Sequence, residues 1–130
     1  MYKLKISDLS VGDWVMVDGE YWKVSAINED SVGLRVDSDY AVADISECDG
    51  ILITTEILEK NGFEKRDTYI WNNQKMRCTA YRFGFKYWDI RVTYRARGYR
   101  PTRINIENIV YVHELQHALR LAGVEKEIEL

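Results

Sequence analysis

From Asp13 the chain alternates between apolar and polar positions in short runs, each closed by turn-forming residues. Asp13-Trp14-Val15-Met16-Val17 is rich in β-favouring residues and is followed by Asp18-Gly19, a strong two-residue hairpin signal. Glu20 to Ile27 alternates, with Tyr21, Lys23, Ser25 and Ile27 on one side and Trp22, Val24 and Ala26 on the other. Asn28 to Ser31 is a polar turn, Val32 to Val36 and Ala41 to Ile45 read as two further strands, and Gly50 to Ile53 is a short apolar run. Brief strands at this spacing predict a small barrel-like or strongly curved sheet at the N-terminus, with a small SH3-like barrel the preferred picture.

The period then changes. Thr54 or Thr55 can cap a short helix, Glu56 suits its first turn, Ile57 and Leu58 give it an apolar side, and Gly62 after Asn61 suits its end. Strands follow over Thr68 to Asn72, Lys75 to Phe83, Phe85 to Tyr94 and Thr102 to Ile106, with turns expected at Asn72-Asn73 and Arg97-Gly98. Tyr81, Phe83, Phe85 and Tyr87 share one face against Arg82, Lys86 and Trp88. Past Trp88 the phase changes, so Trp88, Ile90, Val92 and Tyr94 oppose Asp89, Arg91, Thr93 and Arg95, which predicts a bulge or bend near Tyr87-Trp88. The last element is a helix from about Asn108 to Ala122, ended by Gly123. Its apolar stripe is Val112, Leu115, Leu119 and Ala122, joined by Tyr111 and Ala118, with His113, Gln116, His117 and Arg120 on the polar side. The tail, Val124 to Leu130, alternates and can form an edge strand.

The pattern predicts an α+β fold: a small barrel-like part over 1–53, then over 54–130 a helix, an antiparallel sheet and a covering C-terminal helix, all in a single domain. Composition agrees, since 46% hydrophobic residues in 130 supply one core. Cys48 and Cys78 make no disulfide framework and neither sits in a C-x-x-C, which suits a reducing compartment. With no apolar run near the roughly 18 residues of a span and no signal-peptide stretch at the start, a cytoplasmic protein is expected, with no membrane partner.

Charge changes the picture. Residues 1–74 hold 15 acids and 7 bases (net −8), residues 75–103 hold Asp89 against nine bases (net +8), and residues 104–130 hold five acids and two bases (net −3), which together give the −3 of the whole chain. Such separation marks either an anionic partner or the pairing of basic strands with acidic surface, including that of a second copy in a homo-oligomer. Within the basic stretch, Arg82, Arg91, Arg95, Arg97 and Arg100 can grip phosphates while Tyr99 stacks on a base or sugar. The alternative is that the aromatics are core and the arginines a solvated face. No Walker loop or G-x-G-x-x-G is present, so nucleoside triphosphate hydrolysis is not expected.

A second motif is His113-Glu114-Leu115-Gln116-His117. Histidines four apart on a helix can both ligate zinc, with the glutamate as general base on the bound water. The chain has no other histidine to serve as third ligand, Arg120 stands one turn after His117, and the alternative is the polar side of a core helix.

Three stretches, Leu9-Ser10-Val11-Gly12-Asp13-Trp14-Val15, Glu56-Ile57-Leu58-Glu59-Lys60-Asn61-Gly62-Phe63-Glu64-Lys65 and Tyr111-Val112-His113-Glu114-Leu115-Gln116-His117-Ala118-Leu119, occur in this order. The order resembles a family of small proteins of Bacteroidetes genomes and of their phages and mobile elements. The resemblance spans roughly the whole chain and brings no activity with it. In that family the position of Glu114 is often glutamine and that of His117 often asparagine, which implies that the helix needs no metal. The preferred reading is therefore a non-catalytic binding protein of a phage or mobile element in the bacterial host cytoplasm. Its ligand would be nucleotide-like or otherwise anionic, for example a nucleotide signal of host immunity held sequestered. A zinc-dependent hydrolase acting through His113, Glu114 and His117 and a protein–protein interaction module are the alternatives.

Overall fold

The computed structural model describes residues 4–73, 75–94 and 103–130, and in it the chain divides into two compact units, 1–51 and 52–130. The class is α+β, as the pattern predicts.

In the first unit, Asp18 and Gly19 take positive φ (49° and 77°), the mirror-image turn whose twist suits a hairpin. The turn joins β1 (Trp14–Val17) to β2 (Glu20–Ile27), and β3 (Ser31–Val36) and β4 (Asp39–Asp44) complete an antiparallel sheet in the order β1-β2-β3-β4. The β3–β4 turn, where Asp37 has φ 52°, carries no strong signal in the sequence. Strict alternation would leave Ile27 beside Tyr21. Instead the register slips between Val24 and Ala26, with Ser25 as the extra residue, and Trp22, Val24 and Ile27 all reach the core. Gly33 lies across from this bulge. A Cβ there would sit 3.2 Å from both Ala26 Cβ and Ser25 Oγ, so a side chain would push the bulge apart.

The expected closed barrel does not form; among the described residues the sheet is open, with β1 and β4 at its edges. The reason lies in what covers its apolar face. Leu4, Ile6, Leu9, Ile45 and Cys48, from the segments before β1 and after β4, pack against Val15, Val24, Val32, Leu34 and Ala43 and bury the surface that closure would have buried. Among the described residues the chain after β4 returns to β1 through one bridge, Met16 with Asp49. Asp13 is fully buried, and its carboxylate accepts the Ser10 N–H at 2.7 Å, holding the turn that leads into β1.

In the second unit, Thr54 Oγ1 accepts the Ile57 N–H at 3.2 Å and opens α1 (Thr55–Lys60). Gly62, at φ 86°, ends it, with the Gly62 N–H on Glu59 O and the Phe63 N–H on Leu58 O. An antiparallel sheet follows in simple order: β5 (Glu64–Lys65), β6 (Tyr69–Asn72), β7 (Met76–Phe83), β8 (Tyr87–Tyr94) and β9 (Arg103–Ile109). The phase change near Trp88 is a hairpin turn over residues 84–86, with Gly84 at φ 67°. From Phe83↔Tyr87 to Met76↔Tyr94 the β7–β8 register never slips. A bulge lies elsewhere, in β9. The register to β8 shifts between Trp88 and Ile90, Asn108 takes φ 60°, and its N–H reaches Asp89 Oδ1 at 3.1 Å.

Because β9 runs on to Ile109, the last helix, α2 (Val112–Leu121), begins later than the sequence suggests. Gly123 closes it at φ 76° as expected. Met76, Cys78, Ala80, Trp88, Ile90 and Val92 form the covered face of the sheet, and α2, which lies against β9, buries Val112, Leu115, Ala118 and Leu119. Two residues expected on its polar side are also buried, His113 and Gln116, each 1% exposed. Gln116 is drawn in by the tail: its Nε2 donates to Lys126 O at 3.0 Å and its Oε1 accepts the Ile128 N–H at 2.7 Å. Asn61 does the same further along, with Nδ2 on Glu129 O at 2.8 Å and Oδ1 on the Glu129 N–H at 2.7 Å. The tail is thus no edge strand. Two side-chain amides supply the donors and acceptors that a neighbouring strand would, and Val124 and Ile128 sink into the core.

Leu115→Ala should destabilise the protein by about 2–5 kcal/mol in urea unfolding, as truncation of a buried leucine does. A loss below about 0.5 kcal/mol would show that α2 buries another face.

Candidate functional site

The even positions from Met76 to Ala80 in β7 and from Trp88 to Val92 in β8 are taken by the core, so the odd ones form the other face of the sheet. Across β7, β8 and β9 that face runs in rows: Arg77–Thr93–Arg103, then Thr79–Arg91–Asn105, then Tyr81–Asp89 with Glu107 beside them, and last Phe83–Tyr87. Arg77, Arg103, Asn105 and Glu107 are exposed, while Arg91 is half-buried. The face is therefore polarised, with arginines at one end and carboxylates with aromatic rings at the other.

Arg91 is held in the middle. Its Nε donates to Asn105 Oδ1 at 3.1 Å, its Nη1 donates to the Tyr81 hydroxyl at 3.3 Å, and its guanidinium lies 4.9 Å from the centre of the Tyr81 ring. Arg77 Nε donates to Asn72 Oδ1 at 3.1 Å. Phe83 and Tyr87 stack at 5.7 Å with an interplanar angle of 16°. Tyr81, Phe83, Asp89, Arg91, Asn105 and Glu107 line an open hollow of about 380 Å³, the size range of small-ligand sites.

Of the residues that the sequence marks for ligand binding, Arg91 lies on this face and Arg82 does not. Arg82 pairs with Trp88 on the opposite side of the same hairpin. Its guanidinium sits 5.8 Å from the Trp88 ring and donates to Phe85 O at 2.6 Å. Its charge also acts on Glu56. That carboxyl is held below its ordinary value first by the backbone N–H of Glu56 and the Thr54 hydroxyl, with Arg82 adding to the effect. Arg82 and Arg91 therefore cannot flank one site, because an antiparallel pair sends adjacent parities to opposite faces. Arg95, Arg97, Tyr99 and Arg100 lie outside the described residues. Arg77, Arg103, Asn105 and Glu107 are the additions. Taking Gly84 as a turn and pairing positions across it would have placed Arg77 with Arg91 on one face, whereas Arg103, Asn105 and Glu107 depend on the register of β9 on β8.

The H-E-x-x-H helix has a different occupation. Glu114 Oε1 accepts the backbone N–H groups of Val110 at 3.1 Å and Tyr111 at 3.0 Å, so its carboxylate caps α2 in the manner of a capping-box acid. His113 is buried and stacks on Tyr111 at 5.7 Å, and the His117 ring meets it edge-on at 6.0 Å. Among the described residues no group of three or more His, Cys, Asp or Glu side chains is placed to hold a metal ion. Glu114 and His113 are thus engaged in capping and in packing.

Both thiols are buried. Burial pushes Cys78 up to about 12, and burial with the carboxylates of Glu47, Asp49 and Asp44 pushes Cys48 up to about 11. Neither is a nucleophile at neutral pH. Among the described residues no helix is long and apolar enough to cross a membrane. Set against protein-family models, curated proteins and solved structures, the chain matches none.

Glu114→Ala should cost about 1–3 kcal/mol in urea unfolding, because two N–H groups lose their acceptor. Glu114→Gln, which keeps an acceptor, should cost less than about 1 kcal/mol. Equal losses would refute the capping role. The thiols add a pH dependence. A raised folded-state value means that their contribution to stability is full below the ordinary thiol value of 9.0 and is lost as pH rises toward about 11 and 12. The melting temperature should therefore fall above pH 9, and less steeply in a Cys48→Ala/Cys78→Ala double variant. Parallel curves would contradict burial of the thiols.

Proposed function

We propose that the protein is a non-catalytic binding protein for a compact, nucleotide-like anion, held on the exposed face of β7, β8 and β9. The observation that carries this reading is the polarity of the face. Arg77 and Arg103 flank Thr93 on the outer two of three adjacent strands, about 10 Å apart by two strand spacings. Their long side chains can converge on one phosphate group, which arginine forks bind well. From Arg77 to Tyr81 is four residues along β7, about 14 Å, and this roughly matches a nucleotide lying lengthwise with its base among Tyr81, Phe83 and Tyr87.

The same polarity favours a short ligand over a strand of nucleic acid. A strand running along β7 and β8 would carry phosphates from the arginines onto Asp89 and Glu107, where like charge opposes them. A ligand with its charge at one end meets no such conflict. In a protein like the phage and mobile-element family that the chain resembles, such a site would suit stoichiometric capture of a nucleotide signal of host immunity in the host cytoplasm.

Calorimetry at low salt against pyrophosphate, mono-, di- and cyclic nucleotides and single-stranded oligonucleotides tests the proposal. Nucleotides should bind, with affinity that falls only gently as salt rises, because a compact ligand releases few counterions. Arg77→Ala/Arg103→Ala should abolish that binding and leave the melting curve intact, both side chains being exposed. Binding of oligonucleotides alone, with a steep salt slope, would replace the nucleotide site by a nucleic-acid surface. No binding at all would remove the proposal.

A further inference from the structure

Resting on that reading, we infer that the base end of the face selects guanine. The hollow beyond the arginine row combines two acceptor-only groups, the carboxylates of Asp89 and Glu107, with a donor-only group, the Arg91 guanidinium, and with Asn105, whose amide does both. Guanine places donors (N1–H and the N2 amino group) next to acceptors (O6 and N7). One carboxylate can take both donors side by side while a guanidinium or amide meets O6 or N7. The other bases fit this set less well. Adenine offers a single amino group between two ring-nitrogen acceptors, and those lone pairs would face a carboxylate. Uracil sets one N–H between two carbonyl oxygens, which a carboxylate repels. Cytosine has an amino group but no neighbouring N–H.

The geometry leaves the required groups available. Asp89 Oδ1 takes the Asn108 N–H, which anchors that carboxylate on the bulge while its second oxygen remains an acceptor. Glu107 is exposed at the same bulge. The bonds of Arg91 to Asn105 and Tyr81 use only part of its donor fork. Phe83 and Tyr87, stacked on each other and partly exposed, offer an aromatic edge against which a purine can lie.

The test is calorimetry with GDP, ADP, CDP, UDP and pyrophosphate on the intact protein and on Glu107→Gln, with Asp89→Asn as a second variant. GDP should bind about tenfold or more tightly than the other diphosphates, the discrimination that one bidentate base contact provides. The GDP-to-ADP ratio should shrink in either variant while the melting curve shows the fold retained. If all four nucleotides bind the unaltered protein equally, or if the ratio is the same in both variants, guanine selection is wrong although the anion site stands. If neither pyrophosphate nor any nucleotide binds at low salt, the anion site and the base selection fall together.

Discussion

The unbroken antiparallel register between β7 and β8 decides what the second unit can present to solvent. Cys78, Ala80, Ile90 and Val92 are at most 1% exposed, and they sit opposite one another in pairs, Cys78 with Val92 and Ala80 with Ile90. A slip of one residue would turn one strand over against the other, so that Arg77 or Arg91 would face the core and the apolar residues of its strand would face solvent. The cost of that exchange, charge taken out of water together with apolar surface put into it, pins the hairpin. Everything proposed for the exposed face depends on this constraint, because it gathers Arg77, Arg91 and Arg103 on one side and removes Arg82 to the other. The β9 bulge then adds what a regular strand would not: Asn108 turns its N–H to Asp89, fixing a carboxylate at the end of the face away from the arginines.

The covered side shows how polar residues become structural. Glu114, Gln116 and Asn61 each meet backbone groups that would otherwise lie without partners, at the start of α2 and along the tail. Gln116 and Asn61 are both buried, and their amides can donate and accept at once, as a strand edge does. Leucine in either place would leave the Ile128 or Glu129 N–H without its acceptor. On the same helix Glu114 is placed by capping and His113 by packing.

Much of this was legible in the sequence, and the failures have specific causes. Asp18-Gly19, Thr54, Gly62 and Gly123 announce a turn, a cap and two helix ends, because each acts through its own backbone geometry. The α+β class and most strand positions follow from alternation. What alternation cannot show is an extra residue: Ser25 in β2 and the bulge at Asn108 both reset the phase, and neither has a signature beyond its neighbours' burial. The alternation predicts a bulge or bend near Tyr87-Trp88 where the structure has a turn over 84–86, because Phe85 continues the aromatic pattern although it is 94% exposed at the tip. The turn is what sends Arg82 and Arg91 to opposite faces. Closure of the first sheet was undecidable from the pattern, since Leu4, Leu9 and Cys48 can cover an apolar face as well as another strand can.

A compact anion bound on one face of β7, β8 and β9 would be reported most directly by arginine side-chain resonances. In a ¹⁵N spectrum titrated with a nucleoside diphosphate at low salt, the Nε–H signals of Arg77, Arg91 and Arg103 should move together and saturate at a common ratio. Arg82, on the opposite face, and Arg35, in the first unit, should stay in place. Movement of Arg82 with Arg77 unchanged, or uniform small shifts at every arginine that vanish with modest salt, would contradict the account.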